Sequence, residues 1–117
     1  MLFLWYPYCS TCRRAKAWLD EHGAAYELRD IKADRPTAEE LKAWQEKSGQ
    51  ELKKFFNTSG LLYKSLELKS RLPEMSGEEQ LALLASDGML VKRPLLIGED
   101  FVLAGFREKE YAGELSL

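Results

Sequence analysis

An α/β fold running β-α-β, then a helical block, then β-β-α is predicted by three features of the chain. Short apolar runs stand near both ends, and two Ser/Thr-x-x-Glu boxes stand in the middle. Glycines follow the amphipathic stretches, where a helix would stop.

Leu2–Tyr6 is short, apolar and aromatic and is closed by Pro7, the pattern of a buried strand. From Ser10 to His22 the residues Cys12, Ala15, Trp18, Leu19 and His22 recur at helical spacing, and Gly23 supplies a stop. Ala25–Ile31 alternates Tyr26 and Leu28 with Glu27 and Arg29, which predicts a second strand. A crossover of this length favours parallel pairing with the first. Thr37-Ala-Glu-Glu40 is a capping box opening a helix with Leu41 and Trp44 inward and Gly49 past its end. Shorter helical pieces are expected at Leu52–Phe55 and Leu61–Leu66. Ser76-Gly-Glu-Glu79 opens another helix, with Leu81, Leu84 and Ala85 inward and Gly88 at its close. Leu95–Ile97 and Phe101–Leu103 read as a hairpin turned by Gly98-Glu-Asp100, and Arg107–Leu115 as a last helix. This is the thioredoxin-like order. We expect one domain over residues 1–117, with a mainly helical insertion at about residues 34–89.

Composition narrows the function. At 117 residues, 45% apolar and 31% charged, the chain can bury a core without disulfide staples. A net charge of −2 gives no general attraction to nucleic acid or an anionic membrane. The apolar N-terminus is too short for a signal peptide, and no run approaches a membrane span, so a cytoplasmic protein is expected; no apolar stripe forces an interface, so a monomer is expected.

The only two cysteines stand as Cys9-Ser-Thr-Cys12 where the first strand gives way to the first helix. There the unpaired amides and helix dipole favour a thiolate on Cys9, and Arg13, Arg14 and Lys16 follow within the first turns. Cys12, one turn on, shares its face and can resolve a mixed disulfide formed on Cys9. Ser10 and Thr11 lie between them and are candidates, with Arg93, for binding an anion. The alternative is a buried pair packing as small hydrophobes. Zinc lacks ligands, since His22 is the only histidine, so no metal is expected. Pro94 opens the apolar run Leu95–Ile97, and residue statistics alone favour a trans Arg93–Pro94 bond there. Lys53-Lys54 and Arg13-Arg14 are too small for a nucleic-acid footprint.

Four blocks together, "YPYCSTCRRAKAWL", "FFNTSG", "LVKRPLLI" and "LAGFREKEY", resemble the arsenate reductase-like (ArsC/Spx/MgsR) family of thioredoxin-fold proteins. The resemblance covers nearly the whole chain. It implies that Cys9 is the redox-active cysteine, that Pro94 is a cis-proline facing the CxxC, and that Arg93 helps bind an oxyanion. It also implies no bound cofactor and an external thiol reductant: glutaredoxin, thioredoxin or a low-molecular-weight thiol. Asn57 and Phe106 stand where the arsenate site of the family has two further arginines, which weighs against arsenate as substrate. Cys12 is a further departure, since arsenate reductases of this type can work with the first cysteine alone. The Spx branch uses its CxxC as a switch on a regulator that binds RNA polymerase. Its members carry a longer C-terminal tail. The sequence thus predicts a thiol–disulfide oxidoreductase first, a redox-switched regulator second, and an inert binding module third.

Overall fold

The computed structural model describes all residues, Met1–Leu117. Strand β1 (Leu2–Trp5) leads through helix α1 (Ser10–Glu21) to β2 (Glu27–Asp30), which pairs parallel with β1. The helical block follows: α2 (Ala38–Ser48), a 3-10 turn at Leu52–Phe55, α3 (Leu61–Ser65), α4 (Leu68–Arg71), a 3-10 turn at Leu72–Glu74, and α5 (Gly77–Ser86). A 3-10 turn at Gly88–Leu90 leads to β3 (Leu95–Ile97), β4 (Val102–Ala104) and helix α6 (Glu108–Glu114). The sheet order is β2-β1-β3-β4, with β3 antiparallel to both β1 and β4.

Each face of the sheet carries its own apolar layer, because side chains alternate along a strand. Phe3 and Leu96 point to α1 and α6, where they meet Ala15, Trp18, Leu19 and Tyr111. Leu4, Leu95, Ile97 and Val102 point to the helical block and meet Leu41, Trp44, Phe55 and Leu84. No helix is long and apolar enough to cross a membrane.

Both capping boxes form. Thr37 Oγ1 accepts from the Glu40 amide at 3.1 Å, and Ser76 Oγ accepts from the Glu79 amide at 3.1 Å. Each carboxylate accepts the cap's own N–H at 3.0 Å, so two otherwise orphaned amides per helix are satisfied.

Three sequence expectations shift. β2 is shorter than Ala25–Ile31, and its Leu28 is exposed, because β2 is an edge strand lying outside both apolar layers. The second strand of the hairpin runs one residue later than Phe101–Leu103, since the turn takes in Phe101. Gly88 does not cap α5, which ends at Ser86 against an extended Asp87. Gly88 serves close approach instead: a Cβ there would lie 1.8 Å from the Ile31 carbonyl oxygen.

A candidate thiol site at one end of the sheet

Antiparallel pairing decides where the site lies. Leu4 is opposite Leu95, and Leu95 is opposite Ala104. The C-terminal end of β1, the N-terminal end of β3 and the C-terminal end of β4 therefore lie side by side. The loops at those ends carry Cys9, Arg93-Pro94 and Gly105-Phe106-Arg107. Residues from the beginning and end of the chain thus meet across about 10 Å, two strand spacings.

Cys9 is the N-cap of α1, in extended conformation, and its Sγ accepts from the Cys12 amide at 3.4 Å. A cysteine occupies the place where Ser, Thr or Asp would ordinarily cap, so its sulfur receives an amide otherwise without a partner. Partial burial pushes the Cys9 thiol up. The Cys12 amide, the Cys12 thiol, the Arg93 charge and the Thr11 amide together outweigh that, and the thiol lies below its ordinary value. Cys12 is fully buried, and its Sγ accepts from the Tyr6 amide at 3.5 Å. Burial, reinforced by the neighbouring Cys9 thiol, pushes Cys12 up to about 12. Both are free thiols, one poised to ionise and one held protonated.

Arg93 is the cation that acts on Cys9. The basic residues adjacent in sequence are engaged elsewhere: Arg13 donates to the Pro7 carbonyl at 2.9 Å, Arg14 to Thr11 Oγ1 at 3.3 Å, and Lys16 pairs with Asp20 at 2.9 Å. The expectation that these three would poise the thiolate is corrected accordingly. Arg93 donates through Nη1 to the Met89 and Val91 carbonyls at 3.2 and 3.4 Å and lies over the Tyr6 ring at 5.5 Å. Its Nε–H is buried without a protein partner, an orphaned donor beside the thiols. The Arg93–Pro94 bond is cis, as the family resemblance implies and against the trans form that residue statistics favour.

Cys9, Thr11 and Arg93 open onto one groove of ≈ 1630 Å³; Ser10 is exposed and lies outside its lining, and Cys12 is buried behind. Asn57 and Phe106 also line the groove, but as uncharged side chains held in local packing. Asn57 bends over Gly60, where a Cβ would come within 2.6 Å of its Nδ2. Phe106 meets the Tyr111 ring edge-on at 4.9 Å. No further guanidinium stands at these two positions.

Seven basic and four acidic side chains line the groove, although the chain carries −2 overall. None of the seven has a carboxylate partner, since all three ion pairs lie elsewhere. Sequence reading missed this convergence of Lys53, Lys54, Lys92 and Arg107, which come from separate elements. The pair Lys53-Lys54 was its one visible sign. His22 sits at the exposed end of α1, stacked on Trp18 at 3.9 Å, and no group of three His, Cys, Asp or Glu side chains gathers as metal ligands would.

The ArsC family model matches residues 4–113. Among curated sequences, YusI of Bacillus subtilis is 55% identical over 95% of this chain and 94% of its own length. The regulatory protein MgsR of the same organism is 30% identical over 94% of this chain and 86% of its own. A crystal structure of an ArsC-family-related protein from Bacteroides fragilis superposes with a TM-score of 0.93 at 58% identity, covering 96% of this chain and 94% of that one.

Proposed function

The chain belongs to the ArsC family, and from that premise we propose that it is a cytoplasmic thiol–disulfide oxidoreductase with Cys9 as nucleophile and Cys12 as resolving thiol. The observation carrying this reading is the contrast between the two sulfurs. Cys9 is lowered at a helix N-terminus beside Arg93, and Cys12 is raised and buried one turn behind it. A low thiol gives a nucleophile at neutral pH; a high one keeps its proton until Cys9 is consumed.

The Cys9 thiolate attacks one sulfur of a substrate disulfide, forming a new S–S bond and expelling the other sulfur as a thiolate. Cys12 then gives its proton to the expelled thiolate and attacks the Cys9 sulfur, releasing the second substrate sulfur as a thiolate. The two cysteines supply two electrons and end as a Cys9–Cys12 disulfide. An external thiol, from glutaredoxin, thioredoxin or a low-molecular-weight pool, returns the electrons. Thr11 and Arg93 line the groove where the departing anionic sulfur collects.

Arsenate fits less well. Arg93 alone among the expected cations is in place, with Asn57 and Phe106 at the other positions. Each missing charged hydrogen bond forgoes about 1.5–3 kcal/mol of oxyanion stabilisation.

The test is a titration of the Cys9 thiolate by its ultraviolet absorbance, with Cys9→Ser as control, beside an assay of disulfide reduction. A titration below the free-cysteine value and turnover lost in Cys9→Ser are expected. A titration at or above that value, with no Cys9–Cys12 disulfide formed in mild oxidant, overturns the reading. Similarity to MgsR supports a second one, a redox-switched regulator that binds RNA polymerase without turnover. Stoichiometric capture of polymerase by one redox form only, without disulfide reduction, decides for it.

A further inference from the structure

β4 is an edge strand, and its hydrogen bonding can be followed residue by residue. The Gly98 amide donates to the Phe101 carbonyl at 2.9 Å, and the Gly105 amide to the Pro94 carbonyl at 2.8 Å. With Leu96 opposite Leu103, antiparallel alternation turns the backbone groups of Phe101, Leu103 and Gly105 toward β3. Those of Val102 and Ala104 turn outward, where no protein group hydrogen-bonds to them.

This outward edge opens onto the same groove as Cys9, which Val102 and Ala104 line. The groove's two sides differ in charge. On the side of the helical block stand Lys47, Lys53 and Lys54 with a single carboxylate, Glu51; Lys53 and Lys54 have no ion-pair or hydrogen-bonding partner, and on the α6 side stand Glu110 and Glu114. At the Ala104 end lie Arg107 and Lys92, whose Cε would be 3.3 Å from a Cβ on Gly105.

We propose that the free edge of β4 is a docking strip for an extended, acidic segment of a protein disulfide substrate, which pairs with Val102 and Ala104 and delivers its cystine to Cys9. The inference rests on the oxidoreductase reading and names its substrate class. A strand added at the edge gains backbone hydrogen bonds from the strip, and its alternate side chains face opposite sides of the groove. Acidic residues at alternate positions meet Lys53 and Lys54. Like residues one place over meet Glu110 and Glu114 and are disfavoured. The docked segment lies one strand spacing outside β4 and so three spacings, about 14 Å, from β1; the reactive cysteine therefore stands about four extended residues beyond the paired ones.

The experiment uses the full chain and synthetic peptides with a cysteine linked as a mixed disulfide to mercaptoethanol. One peptide carries Glu at alternate positions and one carries Lys there. Two more are Glu peptides N-methylated on the amides of one alternating set or the other. Rates of attack by Cys9 are measured, and binding is read by fluorescence anisotropy with serine in place of the peptide cysteine. The Glu peptide is expected to bind and react about tenfold better than the Lys peptide, an advantage that salt reduces. Methylation of one alternating set abolishes the gain and methylation of the other leaves it. In the Lys53→Glu, Lys54→Glu double variant the preference falls away. Equal behaviour of the Glu and Lys peptides, or of the two methylated ones, overturns the strip. Hydroxyethyl disulfide, too small to pair, reads Cys9 alone. If it is reduced while the peptides show no preference, the strip falls and the oxidoreductase reading stands. If it is not reduced, yet the Glu peptide binds with the alternating sensitivity, the strip stands and that reading falls.

Discussion

The two edges of the sheet treat charge in opposite ways. At β2, Arg29 donates to both oxygens of Glu40, at 2.7 and 2.9 Å, and lies 3.4 Å from Asp34. Glu40 also holds the capping box of α2, so one carboxylate joins an edge strand to the start of a helix. At β4, the cations along the edge lack carboxylate partners and surround a groove that holds the nucleophile. Charge at the first edge is consumed in positioning the chain. Charge at the second remains available to a ligand. The same residue types therefore mean structure at one end of the sheet and recognition at the other, and pairing tells them apart.

That contrast can be broken most sharply at the sulfurs. Cys9→Ser is expected to reduce disulfide turnover to background while leaving the thermal midpoint within a few degrees. Cys12→Ser should accumulate a mixed disulfide on Cys9, visible as a mass increase equal to the substrate thiol. A Cys9→Ser chain that retains turnover would remove the functional half of the comparison.

Next in size is Arg93→Ala. Arg93 helps hold the Cys9 thiol down, so its loss moves the midpoint of the rate–pH profile upward. The reaction should slow at pH values below the original midpoint, where less thiolate remains, and recover at higher pH. An unshifted midpoint would assign the lowering to the helix amides and the Cys12 thiol.

At the opposite edge, Glu40→Ala removes a partly buried pair and half a capping box. It should cost about 1–2 kcal/mol in denaturant unfolding and leave the Cys9 titration in place. The pair also carries a pH signature. Glu40 is held down to about 2, first by its hydrogen bonds from Arg29, against an ordinary 4.5. Its folded value lies below its unfolded value, so its contribution is present above pH 4.5 and is lost as pH falls from there toward 2. Glu40→Ala should flatten acid unfolding in that window.

The smallest effect on stability is expected from Lys53→Glu with Lys54→Glu, within about 0.5 kcal/mol, because these exposed side chains hold nothing in place. A large destabilisation would show that the β4 side also uses its charges for the fold.

Much of this was legible in the chain. The capping boxes at Thr37 and Ser76 were, because cap, spacing and carboxylate are local. So was the Cys9–Cys12 junction, since a strand, a proline and an amphipathic helix meet within a few residues. The short helical piece at Leu52–Phe55 was too, and it forms as a 3-10 turn; the 3-10 turns at Leu72–Glu74 and Gly88–Leu90 and helix α4 were not, being too short to show a period. Gly88 misled because a glycine after a helix looks alike whether it caps or admits a neighbouring backbone. Arg13, Arg14 and Lys16 misled because nearness in sequence does not show which partner a long side chain takes.

By itself, the sequence determined the element order, the position of Cys9 at a helix start, and the absence of cations at Asn57 and Phe106. These are statements about residue identity and spacings within a few turns. Only the tertiary structure decided which cation meets Cys9, which thiol is raised, and that β4 leaves two residues unpaired beside the groove. The physical reason is strand pairing. Antiparallel β3 brings residues from the far half of the chain to the end of β1, and hydrogen-bond alternation along β4 settles which backbone groups face outward.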